Sequence, residues 1–232
     1  MRISIIIPTL NEAVGICEAL QRLQPLRVKG HEIIVVDGGS SDQTAFLAQP
    51  LADCFLVAQR GRGIQMNVGA RVAGGEILLF LHADTRLPGD AENAIIAGLS
   101  RSHYKWGRFN VRLSGRSTWF RVIEWSMNWR SRLTGIATGD QALFVEREAF
   151  EAVEGFPEIP LMEDVVLSRR LKRLSWPLCL SSTVMASSRY WEARGVLRTI
   201  LLMWSLRLAY FLGVSPERLV QIYYRSEYKE YG

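Results

Sequence analysis

Four short apolar runs in the first 85 residues, each closed by polar residues and separated by helical patterns, decide what kind of fold is open to this chain. They are Ile3 to Ile7, Glu32 to Val36 ending at Asp37, Asp53 to Val57, and Ile77 to Leu81. Between them, Asn11 to Leu23 reads as a helix with Asn11 as its N-cap, Asp42 to Ala48 as a short helix, and Ile64 to Ala73 as a third. Apolar runs without alternation belong to strands buried on both faces, and strands alternating with helices make a largely parallel sheet with helices on either side. The expected class is therefore α/β, with a mixed, mainly parallel sheet. In such sheets ligands bind beyond the carboxyl ends of the strands. That singles out Thr9 to Glu12, Asp37 to Asp42, Arg60 to Gly63, and His82 to Asp84.

The second half is more mixed. A helix is expected after Pro88 and Gly89 through Leu99. A half-buried strand is expected over Trp106 to Leu113, where Phe109, Val111 and Leu113 alternate with polar residues. An aromatic helix covers Ser117 to Arg130, with Trp125 and Trp129 read as core. A strand at Gln141 to Val145, helices at Arg147 to Val153 and Glu163 to Arg173, and a short strand at Leu178 to Leu180 follow. Val196 to Val214 is strongly apolar but carries Arg198 and Arg207. Each central arginine costs about 2.5–3.5 kcal/mol on insertion scales, so this segment is not expected to span a bilayer. It reads as a C-terminal helical appendage that packs on the domain, forms a homodimer, or lies peripherally on a membrane through Trp204, Tyr210 and Phe211.

Composition narrows the partners. Of the 232 residues 48% are hydrophobic and 22% charged, the balance of a folded protein. The net charge of +5 favours anionic partners, but no Lys/Arg block of the nucleic-acid type occurs. Cys17, Cys54 and Cys179 are odd in number and far apart, which suits free thiols. The apolar run after Arg2 is too short for a secretory signal. The expectation is a cytoplasmic protein, at the inner face of the membrane if the appendage meets lipid.

Each strand end offers its own chemistry. Asp37, followed by Gly38, Gly39 and Ser40, can accept hydrogen bonds from a base or ribose; equally, Ser41 or Asp42 there can cap the next helix. Arg60-Gly61-Arg62-Gly63 opens a helix and suits a diphosphate, although it is neither a Walker loop nor a dinucleotide fingerprint. On an extended strand His82 and Asp84 would share a face, as ligands for Mg²⁺ or Mn²⁺ or as a satisfied histidine and a capping aspartate. Glu163 and Asp164 open a helix, where acids commonly just complement the dipole; in combination they can supply a general base.

Taken in order, five phrases resemble the family 2 glycosyltransferases with the GT-A fold: Ile3 to Glu12, Ile33 to Asp42, Gly61 to Ala70, Gly75 to Asp84, and Gly155 through Leu171. Arg60 to Gly63, Leu81 to Thr85, Gly139 to Gln141 and Ser187 to Gly195 further resemble a bacterial subgroup labelled selenium- or arsenosugar-associated. The resemblance implies a GT-A domain over 1–185, with a nucleotide-binding half over 1–85 and an acceptor half over 86–185, and the appendage over 186–232. It implies a metal-dependent, inverting, hexosyltransferase-type enzyme that uses a nucleoside-diphosphate sugar, UDP-linked, and an acceptor the sequence does not name. Pro8, Thr9, Glu12, Asp37, Gly39, Arg60, Arg62, Gly63, Asn67, His82 and Ala83 would then line the donor site. Asp84, with His82, would hold Mg²⁺ or Mn²⁺, and Asp164, with Glu163 beside it, would act as base. The family usually has Asp-x-Asp where this chain has His82-Ala83-Asp84. A nucleotidylyltransferase and a nucleotide-binding scaffold that has lost catalysis remain the alternatives; the first would want a glycine-rich basic loop where Pro8 to Glu12 stands.

Overall fold

The computed structural model describes residues 1–228; the final four residues of the appendage expected over 186–232 lie outside the described residues. The first half alternates as expected: β1 (Ile3–Thr9), α1 (Ile16–Val28), β2 (Glu32–Asp37), α2 (Thr44–Ala48), β3 (Cys54–Val57), α3 (Arg62–Val72) and β4 (Ile77–Phe80). The second half adds α4 (Ala91–Ser100), β5 (Trp106–Leu113), α5 (Thr118–Thr134), β6 (Phe144–Glu146), α6 (Arg147–Ala152), α7 (Glu163–Leu171) and β7 (Leu178–Ala186). The chain then runs through α8 (Arg189–Arg194), α9 (Val196–Phe211) and α10 (Pro216–Tyr228).

The seven strands form one sheet in the order β3-β2-β1-β4-β6-β5-β7. β3, β2, β1 and β4 pair in parallel, β6 lies antiparallel to both β4 and β5, and β7 is parallel to β5. Alternate residues of the apolar strands serve opposite layers. Ile5, Ile7, Ile33 and Val35 pack with α1, α4 and α5, through residues such as Leu20, Ile95 and Phe120. Ile6, Ile34 and Val36 pack with α3, α6 and α7, through Met66, Phe150 and Leu167. Burial on both faces is why these runs lack polar alternation.

Several boundaries differ from expectation for identifiable reasons. Asn11 does not cap α1: it sits at φ 54° and its side chain accepts from the Ser41 amide, so the helix starts only at Ile16. The helix also continues past Pro25 to Val28, with Leu26 packed on the core. β6 begins at Phe144 because Gly139–Gln141 forms a 3₁₀ turn and Ala142 takes φ 46°. β7 runs six residues beyond Leu180, its Ser181, Ser182 and Thr183 lying in a strand with alternating exposure.

β6 pairs with β5 only at Trp106 and Gly107. Beyond that, α5 takes over the strand's free groups. Asn128 accepts from Val111 N (2.8 Å) and donates to Val111 O (3.0 Å), and Glu124 accepts from Leu113 N (2.7 Å). The buried Arg108 joins β5 to α5 by donating to Asn110 Oδ1 (2.6 Å) and Asn128 O (3.0 Å). Trp125 and Trp129 are not core: 65% and 48% exposed, they stack on one another on the outer face of α5.

Candidate active site

The carboxyl ends of β1, β2 and β4 lie side by side, so the loops after them meet. Asp37, at the end of β2, is buried, and its carboxylate accepts from Thr9 Oγ1 (3.1 Å), Gly39 N (3.0 Å), Ser40 N (2.7 Å) and Ser40 Oγ (2.5 Å). Both oxygens are thus committed to shaping the 38–40 loop, with Gly39 at φ 86°. Pro8 and Thr9 close β1 beside it, in register with Val36 and Asp37. Asn11 N donates to Ser40 Oγ (2.8 Å) and Glu12 N to Thr44 Oγ1 (2.8 Å), fastening the first loop to the second. Asp42 accepts from Thr44 N (2.9 Å) at the start of α2, the helix-start role open to it from sequence.

Gln65 was not singled out by sequence, yet it ties this corner together. Its buried amide donates to Thr9 O (2.9 Å) and Val36 O (2.8 Å), which pins the first turn of α3 across the ends of β1 and β2. The helix N-terminus with Arg60, Arg62 and Gly63 is therefore held at the strand ends. Gly63 admits close approach: a Cβ there would lie 2.7 Å from Pro157 O. Asn67, expected in the donor pocket, spends its amide on Phe156, donating to its carbonyl (2.9 Å) and accepting from its N–H (2.9 Å). It clamps the 155–157 turn over α3.

The strand β4 ends at Phe80, and the chain turns so that Thr85 N donates to His82 O (3.0 Å). The strand has ended before His82, whose Nδ1 faces Asp140 Oδ1 at 3.5 Å and whose ring lies where a Cβ on Gly139 would stand 2.4 Å from Nε2. Ala83, expected at the nucleotide, buries its side chain in the apolar core. Asp84 is exposed. Burial first, and the Asp84 charge second, push the Glu12 carboxyl above its ordinary range, while Arg189, Arg62 and His82 pull it down. Glu12 and Asp84 therefore concentrate negative charge beside the α3 N-terminus. Among the described residues no three His, Cys, Asp or Glu side chains gather as a metal cage.

Glu163 and Asp164 open α7 after Met162, which is at φ 70°. Asp164 Oδ2 accepts from Gly139 N (3.0 Å) and Oδ1 from Val165 N (2.7 Å). Glu163 is buried; burial, then the neighbouring Asp164 charge, push its carboxyl up to about 7 against the pull of Arg62. Arg62, exposed at the first turn of α3, answers Glu163, Asp140 and Asp164, whose charges overcome desolvation and hold its guanidinium above its ordinary value. Three further residues join them: Asp140, from the Gly139 to Gln141 phrase, and Arg130 and Arg207, which the sequence does not single out. Asp140, although burial opposes its charge, is held below its ordinary value by the His82 hydrogen bond and by Arg62 and Arg207. Arg130 is pulled down to about 10, by burial first and by Arg207 second, with the Asp164 charge countering. Arg207 belongs to α9, whose Leu206 buries against Met162, so the appendage forms part of the wall. No local motif marks Arg130 or Arg207; only the tertiary packing of α5 and α9 brings them in.

Comparison with known proteins places this geometry. The family model described as glycosyl transferase family 2 matches residues 4–150. An undecaprenyl-phosphate 4-deoxy-4-formamido-L-arabinose transferase of Enterobacter sp. (strain 638) is 27% identical over 131 residues, 52% of this chain and 39% of that protein. A PGL/p-HBAD biosynthesis glycosyltransferase of Mycobacterium bovis (strain BCG / Pasteur 1173P2) is 38% identical over 91 residues, 36% of each chain. The chain thus spans less than half the length of these relatives. Among solved structures, S. aureus TarS in complex with UDP-GlcNAc superposes with a TM-score of 0.67 at 22% identity, over 82% of this chain and 59% of that one. The mannosyltransferase PcManGT from Pyrobaculum calidifontis, in complex with GDP-Man and Mn2+, gives 0.66 at 23%, over 90% and 61%. These likenesses show the GT-A fold. With the family match covering more than half of its residues, the chain belongs to glycosyl transferase family 2.

Proposed function

We propose that the protein is a metal-dependent, inverting glycosyltransferase that moves a hexosyl group from a UDP-linked sugar to an acceptor hydroxyl or thiol. The observation that carries this reading is the position of Arg62. At the first turn of α3 it feels both the Glu12–Asp84 side and the Glu163–Asp164 side, so a donor's diphosphate and a general base fall within reach of one helix N-terminus. The complexes of TarS with UDP-GlcNAc and of PcManGT with GDP-Man and Mn2+ support the donor class.

In this reading Pro8, Thr9 and the Asp37-shaped loop receive the nucleoside, and Arg60, Arg62 and the α3 amides receive the diphosphate. A divalent cation fits the donor set. Such ions bind through one or two carboxylates and complete their shell with phosphate oxygens and water, and Asp84 is an exposed carboxylate whose charge reaches Glu12. Asp84 holds it, and the ion supplies stabilisation of charge on the leaving phosphate. Asp164 takes the acceptor's proton, with the Gly139 amide fixing its Oδ2. Glu163 and Arg62 set the field around it. The test is release of UDP from UDP-sugars with Mn²⁺, in the wild type and in Asp84→Ala. Metal-dependent release lost in the variant supports the reading; equal release with a chelator present overturns the metal's role.

A further inference from the structure

Two helices of this protein each bury one apolar face and expose another. On α5, Phe120, Ile123 and Met127 enter the core, while Trp119, Val122, Trp125, Trp129 and Leu133, spaced by three or four residues, are exposed. On α9, Leu206 buries against Met162, while Leu197, Leu201, Trp204, Leu208 and Phe211, again three or four apart, are exposed. Helices that are apolar all round are normally covered on all sides. Both helices lie on the same side of the sheet, since Val196 and Ile200 of α9 pack against the buried layer that holds Phe120, Ile123 and Met127 of α5. An exposed apolar surface of this extent marks an interaction site.

Charge selects the occupant. Residues 93–139 and 193–216, which contain α5 and α9, hold eleven arginines and lysines against the single acid Glu124, while the rest of the chain holds seventeen against twenty-two acids. Even Glu124 is largely buried, and it is neutralised by Arg121 Nη2 at 2.9 Å. The chain's net positive charge thus lies on the segments that carry α5 and α9; Arg108, Arg130 and Arg207 among them face inward, and Arg112, Arg116, Arg121 and Arg132 are exposed. A second copy docking face to face would set this excess against itself, which like-charge repulsion disfavours. Tryptophans at an apolar face rimmed by arginines match instead the boundary between headgroups and acyl chains. Among the described residues no helix is long and apolar enough to cross a membrane. We propose that α5 and α9 form a docking face for a lipid surface bearing anionic headgroups, with the helices lying along the interface. This goes beyond the glycosyl-transfer reading and does not depend on it.

The experiment is flotation of the full chain with phosphatidylcholine vesicles, with and without phosphatidylglycerol, at low and high salt. Binding is expected with the anionic vesicles only, weakened by salt, and accompanied by a blue shift of tryptophan emission. Trp125→Ser with Trp129→Ser, and separately Trp204→Ser with Phe211→Ser, should each weaken binding by about tenfold or more while leaving the melting temperature unchanged. Arg116→Glu, at an exposed position ahead of α5, should weaken it without touching the apolar stripes. Failure to bind anionic vesicles at low salt overturns the proposal, as does binding that none of the three variants weakens. So does a dimer in sedimentation velocity that the serine variants dissociate, since a second copy would then be the cover. UDP binding, measured on the same samples, separates failure of this face from failure of the donor reading.

Discussion

Glu163 and Asp164 are consecutive in the chain yet sit in different surroundings. Asp164 is fixed by two backbone amides, one from Gly139 across the cleft, while Glu163 is shut away beside Arg62. Asp164→Asn keeps the shape and loses the proton acceptor, so turnover should fall by about 10²–10⁴-fold with nucleotide affinity unchanged. Single-turnover kinetics beside calorimetric UDP titration would check it; unaltered turnover would remove Asp164 from the role. Glu163 makes a different prediction. Its carboxyl rises from 4.5 to about 7 on folding, so between those values the folded chain keeps a proton the unfolded chain releases. Stability from this group is full below pH 4.5 and is lost as pH rises through 7, by about 3 kcal/mol at most. Glu163→Gln lacks that slope. Urea unfolding at pH 5 and pH 8 should show the wild type losing ground to the variant at the higher pH, and parallel behaviour would contradict the assignment. At this scale the sequence was legible in position: Asp37 ends β2, Arg62 opens α3 and Asp164 lies in the first turn of α7, as their local phrases imply. It did not single out Gln65, Arg130 and Arg207, whose surroundings come from elements distant in the chain.

At the scale of elements, buried strands were readable because an apolar run needs no partner to declare itself. β7 was truncated in the reading because Ser181, Ser182 and Thr183 are polar, and α1 was misplaced because Asn11, a good cap by type, is taken by the neighbouring loop. The two α5 tryptophans read as core because helical spacing tells that residues share a face, not whether anything covers it. The seating of α5 gives a third prediction. Asn128→Ala leaves Val111 N and O, both served by one amide, without partners on a buried strand. It should cost about 1–3 kcal/mol for each group left unpaired, measured by urea denaturation. A loss no greater than that of a surface substitution would show that water fills the gap and that Asn128 does not hold the helix.

Across the whole molecule, the parallel strands β3-β2-β1-β4 bring three loops and one helix N-terminus to a common edge, and β6, β5 and β7 extend the sheet toward α5, α7 and the appendage. The cleft draws Arg62 from α3, Asp140 from the turn before β6, Asp164 from α7 and Arg207 from α9. The alternation of strands and helices gave away the first half; in the second, the 3₁₀ turn at Gly139–Gln141 and the meeting of Arg130, Asp164 and Arg207 did not show in the sequence.

A nucleotide held together with a divalent cation at the strand ends is the defining property of this enzyme as proposed. The direct measurement is the thermal stability of the purified chain against UDP, GDP and their sugar conjugates, with and without Mn²⁺. A ligand at 100 times its dissociation constant adds about 2.7 kcal/mol of stability. The predicted result is a rise in melting temperature with UDP that needs Mn²⁺ and disappears in Asp84→Ala. Melting temperatures that no nucleotide moves, with or without metal, would contradict the donor site outright.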